Sequence, residues 1–291
     1  MTSDDVGPTR VLVTGANGRL GRRLVDALRE NPEYEVVAVG GTTASTEKSV
    51  SRIDLAALDE VSRVVRDVRP QAIVHLGGVV GSRCDEEPAV AERVNVEGTR
   101  VLAEALARRA GSRFIFASTA AVYGDAAPGA ILETATGAPS SLYGRQKLSA
   151  EQALAEVADK SEGALTVVAL RIFNVFGPGF DASLVERLRS STPSRPVELH
   201  AIDDFVRDYV HVDDVVDAIT RALSVELTAS ISIVNVGSGI GVTSRQLADS
   251  LSRVSPVFYS EKTGRPSSSV ADIRSARRLL GFRPRSTGTW A

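Results

Sequence analysis

The chain has 291 residues, and its 34 basic and 36 acidic side chains leave a formal charge of −2. This balance argues against nucleic acid as a partner, because nucleic-acid binding generally needs a basic face. No apolar run reaches the ~18 residues of a membrane helix, so no membrane partner is expected. The single cysteine, Cys84, excludes an intramolecular disulfide. The single cysteine and an acidic N-terminus that lacks the apolar core of a signal peptide together predict a cytoplasmic protein.

Strand-like and helix-like segments alternate up to residue 171. The predicted strands are short and mostly apolar, as expected of strands that are covered on both faces. They span residues 10–13, 35–39, 52–54, 72–76, 113–117 and 165–171. Helical spacing of apolar residues predicts helices at 20–30, 58–68, 88–110 and 142–160. Beyond residue 171 the pattern becomes rich in turns, with a helix at 213–223, a strand at 231–236 and a helix at 273–280.

Three glycines follow the first predicted strand with the spacing G-x-x-G-x-x-G: Gly15, Gly18 and Gly21. Glycine lets the backbone turn tightly and approach a pyrophosphate, and the N-terminus of the next helix offers free N–H donors. Because the motif lies between a strand and a helix, it has the context that a dinucleotide site requires. The alternative is an ordinary strand-to-helix turn.

The end of the second predicted strand bears on the choice of cofactor. Dinucleotide sites usually have an acidic residue here that bonds the ribose 2′-hydroxyl, but this chain has Gly40, followed closely by Thr42 and Thr43. An acid would repel a 2′-phosphate, whereas Gly40 leaves room for one, Thr42 or Thr43 would donate a hydrogen bond to it, and Arg19 would pair with it. This favours NADP(H) over NAD(H). The alternative is that NAD binds without the usual acid and Arg19 is solvated.

Tyr143 and Lys147 are four residues apart on a predicted helix and therefore share one face. Tyr143 would protonate a carbonyl oxygen as hydride arrives, or take the proton in the reverse direction. A nearby ammonium favours the phenolate and lowers the tyrosine pKa. Ser118 and Thr119 supply hydroxyls at the carboxyl end of a strand, where ligands of parallel sheets bind. The alternative is a surface helix pair without a catalytic role.

Several ordered motifs resemble the extended short-chain dehydrogenase/reductase family, in its branch of nucleotide-sugar epimerases, dehydratases and 4-ketoreductases. The resemblance covers almost the whole chain and includes HLGG at 75–78, NVEGT at 95–99, STAAVYG at 118–124, LRIFNVFGP at 170–178 and RDYVHVDD at 207–214. It implies that the catalytic residues are Thr119, Tyr143 and Lys147. It implies a cofactor site formed by Gly15, Asn17, Gly18, Arg19, Leu20, Gly21, Asp54, Leu55, Leu76, Gly77, Gly78, Asn95, Ala117, Tyr143, Lys147 and Phe173. It implies contacts with a nucleotide-sugar substrate from Ser118, Thr119, Asn174, Arg207 and Arg265.

The expected fold is α/β, a Rossmann-type doubly wound parallel sheet with a smaller C-terminal substrate lobe. The dinucleotide-binding domain is expected to cover residues 8–176 and 209–240, and the substrate lobe 177–208 and 241–291. The resemblance also implies a homodimer formed through the helices at 88–110 and 142–160. No metal is expected, because the three histidines are scattered along the chain.

The residues after Thr119 narrow the reaction. Family members that dehydrate or decarboxylate the sugar carry acids in this segment, where this chain has Ala120 and Ala121, which transfer no proton. The favoured reaction is NADPH-dependent 4-ketoreduction of a keto-deoxysugar nucleotide, because the missing acid favours NADP. One alternative is an NAD-dependent nucleotide-sugar 4-epimerase. A second is a non-catalytic scaffold that binds the cofactor.

Overall fold

The computed structural model describes residues 7–41, 50–124 and 129–285. Its strands are β1 (Thr9–Thr14), β2 (Tyr34–Gly40), β3 (Ser51–Arg52), β4 (Ala72–His75), β5 (Ser112–Thr119), β6 (Ala130–Ile131), β7 (Leu165–Ile172), β8 (Asn174–Phe176), β9 (Val197–His200), β10 (Phe205–His211), β11 (Ile231–Val236), β12 (Gly241–Thr243), β13 (Tyr259–Lys262) and β14 (Ser267–Ala271). Its helices are α1 (Arg19–Arg29), α2 (Leu58–Val68), α3 (Arg83–Glu86), α4 (Pro88–Glu92), α5 (Thr99–Leu106), α6 (Leu142–Lys160), α7 (Leu184–Arg189), α8 (Val212–Ser224), α9 (Ser244–Ser252) and α10 (Arg274–Leu280). None of these helices has the length and apolarity of a membrane span.

The chain divides into two compact units. Unit 1 contains residues 1–118, 145–169 and 222–232, and unit 2 contains residues 119–144, 170–221 and 233–291. Compactness alone does not say which ligand a unit binds, so the domain bounds expected from the sequence stay a prediction.

A seven-stranded sheet in the order β11-β7-β5-β4-β1-β2-β3 confirms the predicted doubly wound fold. The pairs of β1 with β2 and β4, of β2 with β3 and of β4 with β5 are all parallel. In the middle of β1, Val11, Leu12 and Val13 are completely buried, as expected of a strand with helices on both faces. The sheet order places the strand ends that were predicted to bind ligands along one edge.

The helix predicted at 88–110 is divided into two short helices. Helix α4 begins at Pro88, a π-helical turn occupies Arg93–Gly98, and α5 ends at Leu106. At Gly98 an added Cβ would stand 2.6 Å from the carbonyl oxygen of Leu55, so the π-helical turn lies directly against the backbone that follows β3. The backbone stays right-handed helical on both sides of this turn, so it is a local bulge in the predicted helix, which residue spacing alone does not reveal.

Unit 2 contains small sheets that the sequence did not predict. Strand β10 pairs in parallel with β8 and β14 and antiparallel with β12, while β9 pairs in parallel with β13. Phe176, Leu188, Leu199, Tyr209 and Leu247 belong to the apolar cluster that packs these strands against α7 and α9. Because the strands are only three to seven residues long, their apolar periodicity is too short to be recognised.

A buried carboxylate holds three segments of unit 2 together. Asp208, on β10, is completely buried. Its Oδ1 accepts hydrogen bonds from Ser238 N at 2.7 Å and Ser238 Oγ at 2.6 Å, and its Oδ2 accepts from Gly239 N at 2.9 Å and Ala271 N at 3.1 Å. Burial raises the Asp208 pKa, and the hydrogen bonds from Ser238 oppose that rise. The carboxylate therefore ties the turn after β11 and the end of β14 to β10.

Replacing this carboxylate is expected to destabilise the protein strongly. The Asp208→Ala variant should lose about 2–4 kcal/mol of unfolding free energy, because four donors, three of them in buried hydrogen bonds, lose their acceptor. Asp217→Ala is the matched control, since Asp217 pairs only at the surface with Arg221 on the same helix, and it should cost less than about 1 kcal/mol. Urea denaturation of the two variants measures both values. Equal losses would contradict the clamping role of Asp208.

Candidate active site

In unit 1, the loop between β1 and α1 is shaped by its glycines. Gly15 has a φ of +69°, and an added Cβ there would stand 2.6 Å from the amide nitrogen of Gly77. A Cβ at Gly21 would overlap the carbonyl oxygen of Gly15. Gly18 is the N-cap of α1, and the first turn of this helix carries no acidic residue. The exposed N-terminus of α1, with Arg19 and Leu20, is therefore suited to a pyrophosphate.

The loop after β4 approaches this glycine loop. It runs through Leu76, Gly77 and Gly78, and a Cβ at Gly78 would stand 2.8 Å from Asn95 Oδ1. Asn95 is buried in the π-helical turn, and its side chain exchanges two hydrogen bonds with the backbone of Val79, at 2.8 and 2.9 Å. The Asn95 amide also donates to Gln146 Oε1 on α6 at 2.9 Å. Asn95, predicted as a cofactor contact, thus holds the shape of the loop that approaches Gly15.

A continuous hydrogen-bond chain fixes the state of His75 at the end of β4. Thr99 Oγ1 donates to Asn95 O at 2.7 Å and lies 3.0 Å from His75 Nε2, which therefore carries the proton. His75 Nδ1 lies 2.6 Å from Thr14 Oγ1, which also accepts from Gly77 N. Burial lowers the pKa of His75 to about 3, so the ring is neutral. Among the residues that the structure describes, no group of three His, Cys, Asp or Glu side chains could hold a metal.

Lys147 is almost completely buried on α6, with 6% of the residue exposed. Its Nζ lies 3.9 Å from the centroid of the Phe116 ring, which is a cation–π contact. Burial lowers the pKa of Lys147 to about 7, while the nearby Glu151 and Cys84 act in the opposite direction. Tyr143, four residues earlier, is the second residue of the same helix and is half-buried. The predicted tyrosine–lysine spacing therefore falls on an actual helix.

In unit 2, Thr119 ends β5 and begins the turn that the sequence singled out. Its Oγ1 accepts from the amide of Ala121 at 3.2 Å, and residues Ala120–Tyr123 form a single 3₁₀ turn. A Cβ at Gly144 would stand 2.6 Å from the carbonyl oxygen of Ala121, so the first turn of α6 packs directly on this turn. That packing brings the neighbourhoods of Thr119 and Tyr143 together within unit 2. Ser118, in unit 1, is buried and donates its hydroxyl to Glu151.

Unit 2 also contains a cavity of about 430 Å³ between α7, β9 and β10. Its lining residues are Asn174, Val175, Ala182, Ser183, Leu184, Arg187, Glu198, Leu199, His200, Phe205, Arg207, Tyr209 and Ser244. Two predicted substrate residues, Asn174 and Arg207, are among them, whereas Arg265 lies on the exposed segment between β13 and β14. The sequence analysis did not identify most of these lining residues. The alternation of apolar and polar residues in Val197–His200 is nevertheless a strand signal.

The Arg207 guanidinium is held in place on three sides. It stacks 3.6 Å from the centroid of the Phe205 ring and donates to Val206 O at 2.8 Å. It also donates to the carbonyl oxygen and the hydroxyl of Ser267, at 3.1 and 3.0 Å. Asn174 donates to the backbone oxygen of Asp208 at 2.9 Å. A fixed guanidinium in a cavity is suited to bind phosphate with forked geometry.

The remaining predicted contacts lie on both units. Asp54 is exposed, with Oδ1 accepting from Ala56 N at 2.9 Å, and Leu55 is buried against Gly77. Ala117 is half-buried on β5. Phe173, in unit 2, is buried with its ring 6.3 Å from that of Tyr123.

The position of the missing acid at the end of β2 is filled by Asn17. A Cβ at Gly40 would stand 2.6 Å from Asn17 Cγ and 2.7 Å from its Oδ1. The same Oδ1 accepts a hydrogen bond from Gly41 N at 3.3 Å. A side chain at position 40 therefore requires the amide of Asn17 to move. Thr42 and Thr43, which were considered as phosphate donors, lie outside the described residues.

This close contact predicts that substitutions at positions 17 and 40 have non-additive effects on the unfolding free energy. Gly40→Ala should lower the unfolding free energy by about 1–3 kcal/mol through overpacking. Adding Asn17→Ala should recover most of that loss, because it removes the atoms that the new Cβ would meet. Gly41→Ala is the control, since no atom lies within 4 Å of its added Cβ. Urea denaturation of these three variants and of Asn17→Ala alone measures the coupling, and additive changes at positions 17 and 40 would contradict it.

Comparisons with known proteins agree with this geometry. A family model described as the NAD dependent epimerase/dehydratase family matches residues 11–237. A UDP-glucose 4-epimerase of Rhizobium leguminosarum bv. trifolii is 32% identical over 79% of this chain and 77% of its own length.

Solved structures resemble the chain over nearly its whole length. MoeE5 in complex with UDP-glucose and NAD is 31% identical with a TM-score of 0.83, covering 97% of this chain and 95% of its own. The UDP-glucose 4-epimerase of Thermotoga maritima, solved with UDP-glucose, is 28% identical with a TM-score of 0.83, covering 96% of this chain and 94% of its own.

These relatives favour the epimerase alternative over the ketoreductase that the sequence favoured. They give no support to the preference for NADP(H). The family match and the similarity over most of the length confirm the resemblance that the sequence motifs showed. The chain belongs to the NAD dependent epimerase/dehydratase family, enzymes of the extended short-chain dehydrogenase/reductase type.

Proposed function

We propose that the protein is an NAD-dependent 4-epimerase of a UDP-activated hexose. One observation carries the proposal: a turn without acidic side chains follows Thr119 in a chain whose relatives of similar length are UDP-glucose 4-epimerases. Ala120 and Ala121 supply no proton, so the only proton exchanged is the one on the reacting hydroxyl. Dehydration and decarboxylation need further proton-transfer groups and are disfavoured.

The residues of the glycine loop fit a dinucleotide. Gly15 and Gly77 approach so closely that side chains are excluded, and the N-terminus of α1 offers its N–H donors to a pyrophosphate. We propose that the cofactor contacts predicted from the sequence, including Asp54, Leu55, Ala117 and Phe173, serve NAD. When bound, NAD accepts a hydride from the sugar and returns it to the same carbon.

Tyr143 is the proposed acid/base. As a phenolate it takes the proton of the C4 hydroxyl during oxidation, and it returns this proton when the 4-keto group is reduced. Lys147 follows it by four residues on α6, and its ammonium favours the phenolate. Thr119 donates a hydrogen bond to the reacting oxygen. The keto sugar must then present its other face before reduction, because otherwise the starting sugar is regenerated.

The cavity of unit 2 is the proposed site for the UDP part of the substrate. Arg187 and Arg207 line it and supply cationic donors for the diphosphate. The backbone N–H groups of Val197 and Ala201 donate to carbonyl oxygens next to and in β13. Because backbone groups alternate in direction along a strand, those of Glu198 and His200 point away from β13. Their amides and carbonyls are suited to the edge of a uracil ring. MoeE5 has also been solved with UDP-glucuronic acid, so we propose a UDP-activated sugar acid as the second candidate substrate.

Isotope tracing distinguishes the epimerase from the ketoreductase. The protein is incubated in D₂O with UDP-glucose, and separately with UDP-glucuronic acid, without added reductant. The products are analysed by chromatography and mass spectrometry. An epimerase forms the 4-epimer without deuterium at carbon, because the same hydride leaves and returns. A ketoreductase forms no epimer and oxidises NADPH only when a keto-sugar nucleotide is added. Absence of the epimer with both substrates would contradict the proposal.

Removal of the Tyr143 hydroxyl should remove most of the activity. Tyr143→Phe should lower kcat by roughly 10²–10⁴-fold and change KM far less, because the proton transfer is lost while binding remains. Tyr259→Phe on β13 is the matched control and should keep its rate. Steady-state kinetics of the two variants test the assignment. An unchanged rate in Tyr143→Phe would contradict the acid/base assignment, and no turnover in the unaltered protein would favour the non-catalytic scaffold.

We also propose the remaining features that the resemblance implies. Arg265 makes a second diphosphate contact, which requires its exposed segment to close on the substrate. Two copies of the chain form a homodimer through the helices predicted at 88–110 and 142–160, and sedimentation at micromolar concentration tests this assembly.

A further inference from the structure

A second charged residue is buried on the same helix as Lys147. Glu151 lies one turn further along α6 and is only 3% exposed. Its neighbours on the buried face are Ala150 and Leu154, both completely buried. A carboxylate in such an apolar stripe is costly unless it is paired and hydrogen-bonded. The proposed reaction as described so far gives Glu151 no role.

The structure gives Glu151 two partners. The Ser118 hydroxyl donates a hydrogen bond to Glu151 Oε1, and Ser118 is itself buried at the end of β5. The other is Lys147, which is buried one helical turn earlier on the same face of α6, where the Glu151 charge favours its ammonium. Phe116 is two residues before Ser118 and so lies on the same face of β5, beneath the Lys147 ammonium. Strand β5 therefore contacts both charged residues, Lys147 through the Phe116 ring and Glu151 through the Ser118 hydroxyl.

Two other titratable groups of unit 1, His75 and Cys84, interact with Lys147, and the Tyr143 phenolate of the proposed reaction is a third. His75 on β4 is neutral, because burial lowers its pKa to about 3. Burial raises the pKa of the Cys84 thiol on α3, and the charge of Asp85 raises it further. Of the groups in unit 1 that act on Lys147, Glu151 therefore has the largest stabilising effect on the ammonium.

We propose that Glu151 is a positioning residue, anchored by Ser118, that keeps the buried ammonium of Lys147 charged and fixed over the Phe116 ring. The catalytic consequence of this inference rests on the proposed function, in which the Lys147 ammonium favours the Tyr143 phenolate. The structure thereby assigns Ser118 to the support of this charged pair, and Thr119 alone to the reacting oxygen.

The sign of the pH effect follows from the charges. Lys147 is active in its charged form, which is lost as the pH rises through its pKa. Glu151 raises that pKa, so removing its charge lowers the pKa and moves the loss of the ammonium to lower pH. The alkaline limb of the kcat profile should therefore shift toward acid in Glu151→Gln. KM for the UDP-sugar should change little, because the substrate contacts are unaltered.

The charge state can be measured directly, because the chain contains only four lysines: Lys48, Lys147, Lys160 and Lys262. Protein labelled with ¹³C at the lysine ε-carbon and saturated with NAD is titrated by NMR. The Lys147 signal is identified by its absence in Lys147→Arg. In Glu151→Gln, the Lys147 midpoint should fall by roughly one to three pH units. Glu156→Gln is the control, since Glu156 is exposed on the same helix and pairs with Lys160 at 3.9 Å. It should leave the Lys147 midpoint unchanged.

The outcomes separate this inference from the proposed function. An unchanged Lys147 midpoint in Glu151→Gln overturns the positioning role, whatever the reaction is. A lowered midpoint with an unmoved kcat profile supports the electrostatic role and overturns its catalytic consequence. If Glu151→Gln fails to fold, Ser118→Ala is titrated instead. A midpoint lowered in the same direction supports the anchor, and an unchanged one overturns it.

Discussion

Two backbone segments approach each other at the carboxyl edge of the parallel sheet, and much of the candidate site depends on this approach. Gly15 lies against the Gly77 amide with no space for a side chain, and Gly21 lies against the carbonyl oxygen of Gly15. The first contact fixes the turn out of β1, and the second fixes where α1 begins. The N-terminus of α1 is consequently directed at the place where a pyrophosphate would bind.

The second constraint is the burial of charge on α6. Lys147 and Glu151 occupy positions that apolar residues would normally fill, and an aromatic ring and a hydroxyl of β5 offset part of the cost. Buried ion pairs contribute little net stability compared with well-packed apolar residues of similar size. The proposed reaction accounts for their presence, since a buried charged lysine changes the acidity of its neighbours far more than one in water.

The fold of unit 1 could be predicted because its strands are buried on both faces and alternate with long amphipathic helices. The short strands of unit 2 gave no such periodicity, so the cavity lining of α7 and β9 was missed. The preference for NADP rested on an absent acid, but sequence cannot show that Asn17 from another loop fills the vacated space. Glu151 was missed although its spacing from Lys147 repeats that of Lys147 from Tyr143. Residues four apart on a helix share one face, so this repeat places Glu151 on the face of Tyr143 and Lys147 and would have identified it.

The side chain of Asn95 links two parts of unit 1 that perform different tasks. One end closes the loop after β4, and its amide also bonds Gln146, the residue immediately before Lys147. A substitution that reshapes this loop therefore also disturbs the register of the helix that carries the charged pair. At the end of β2, by contrast, an added side chain at Gly40 would meet the amide of Asn17 in the glycine loop. Two segments that border the same glycine turn therefore differ in what they reach: a change at Gly40 is transmitted to the glycine loop, whereas a change in the loop after β4 is transmitted to α6 as well.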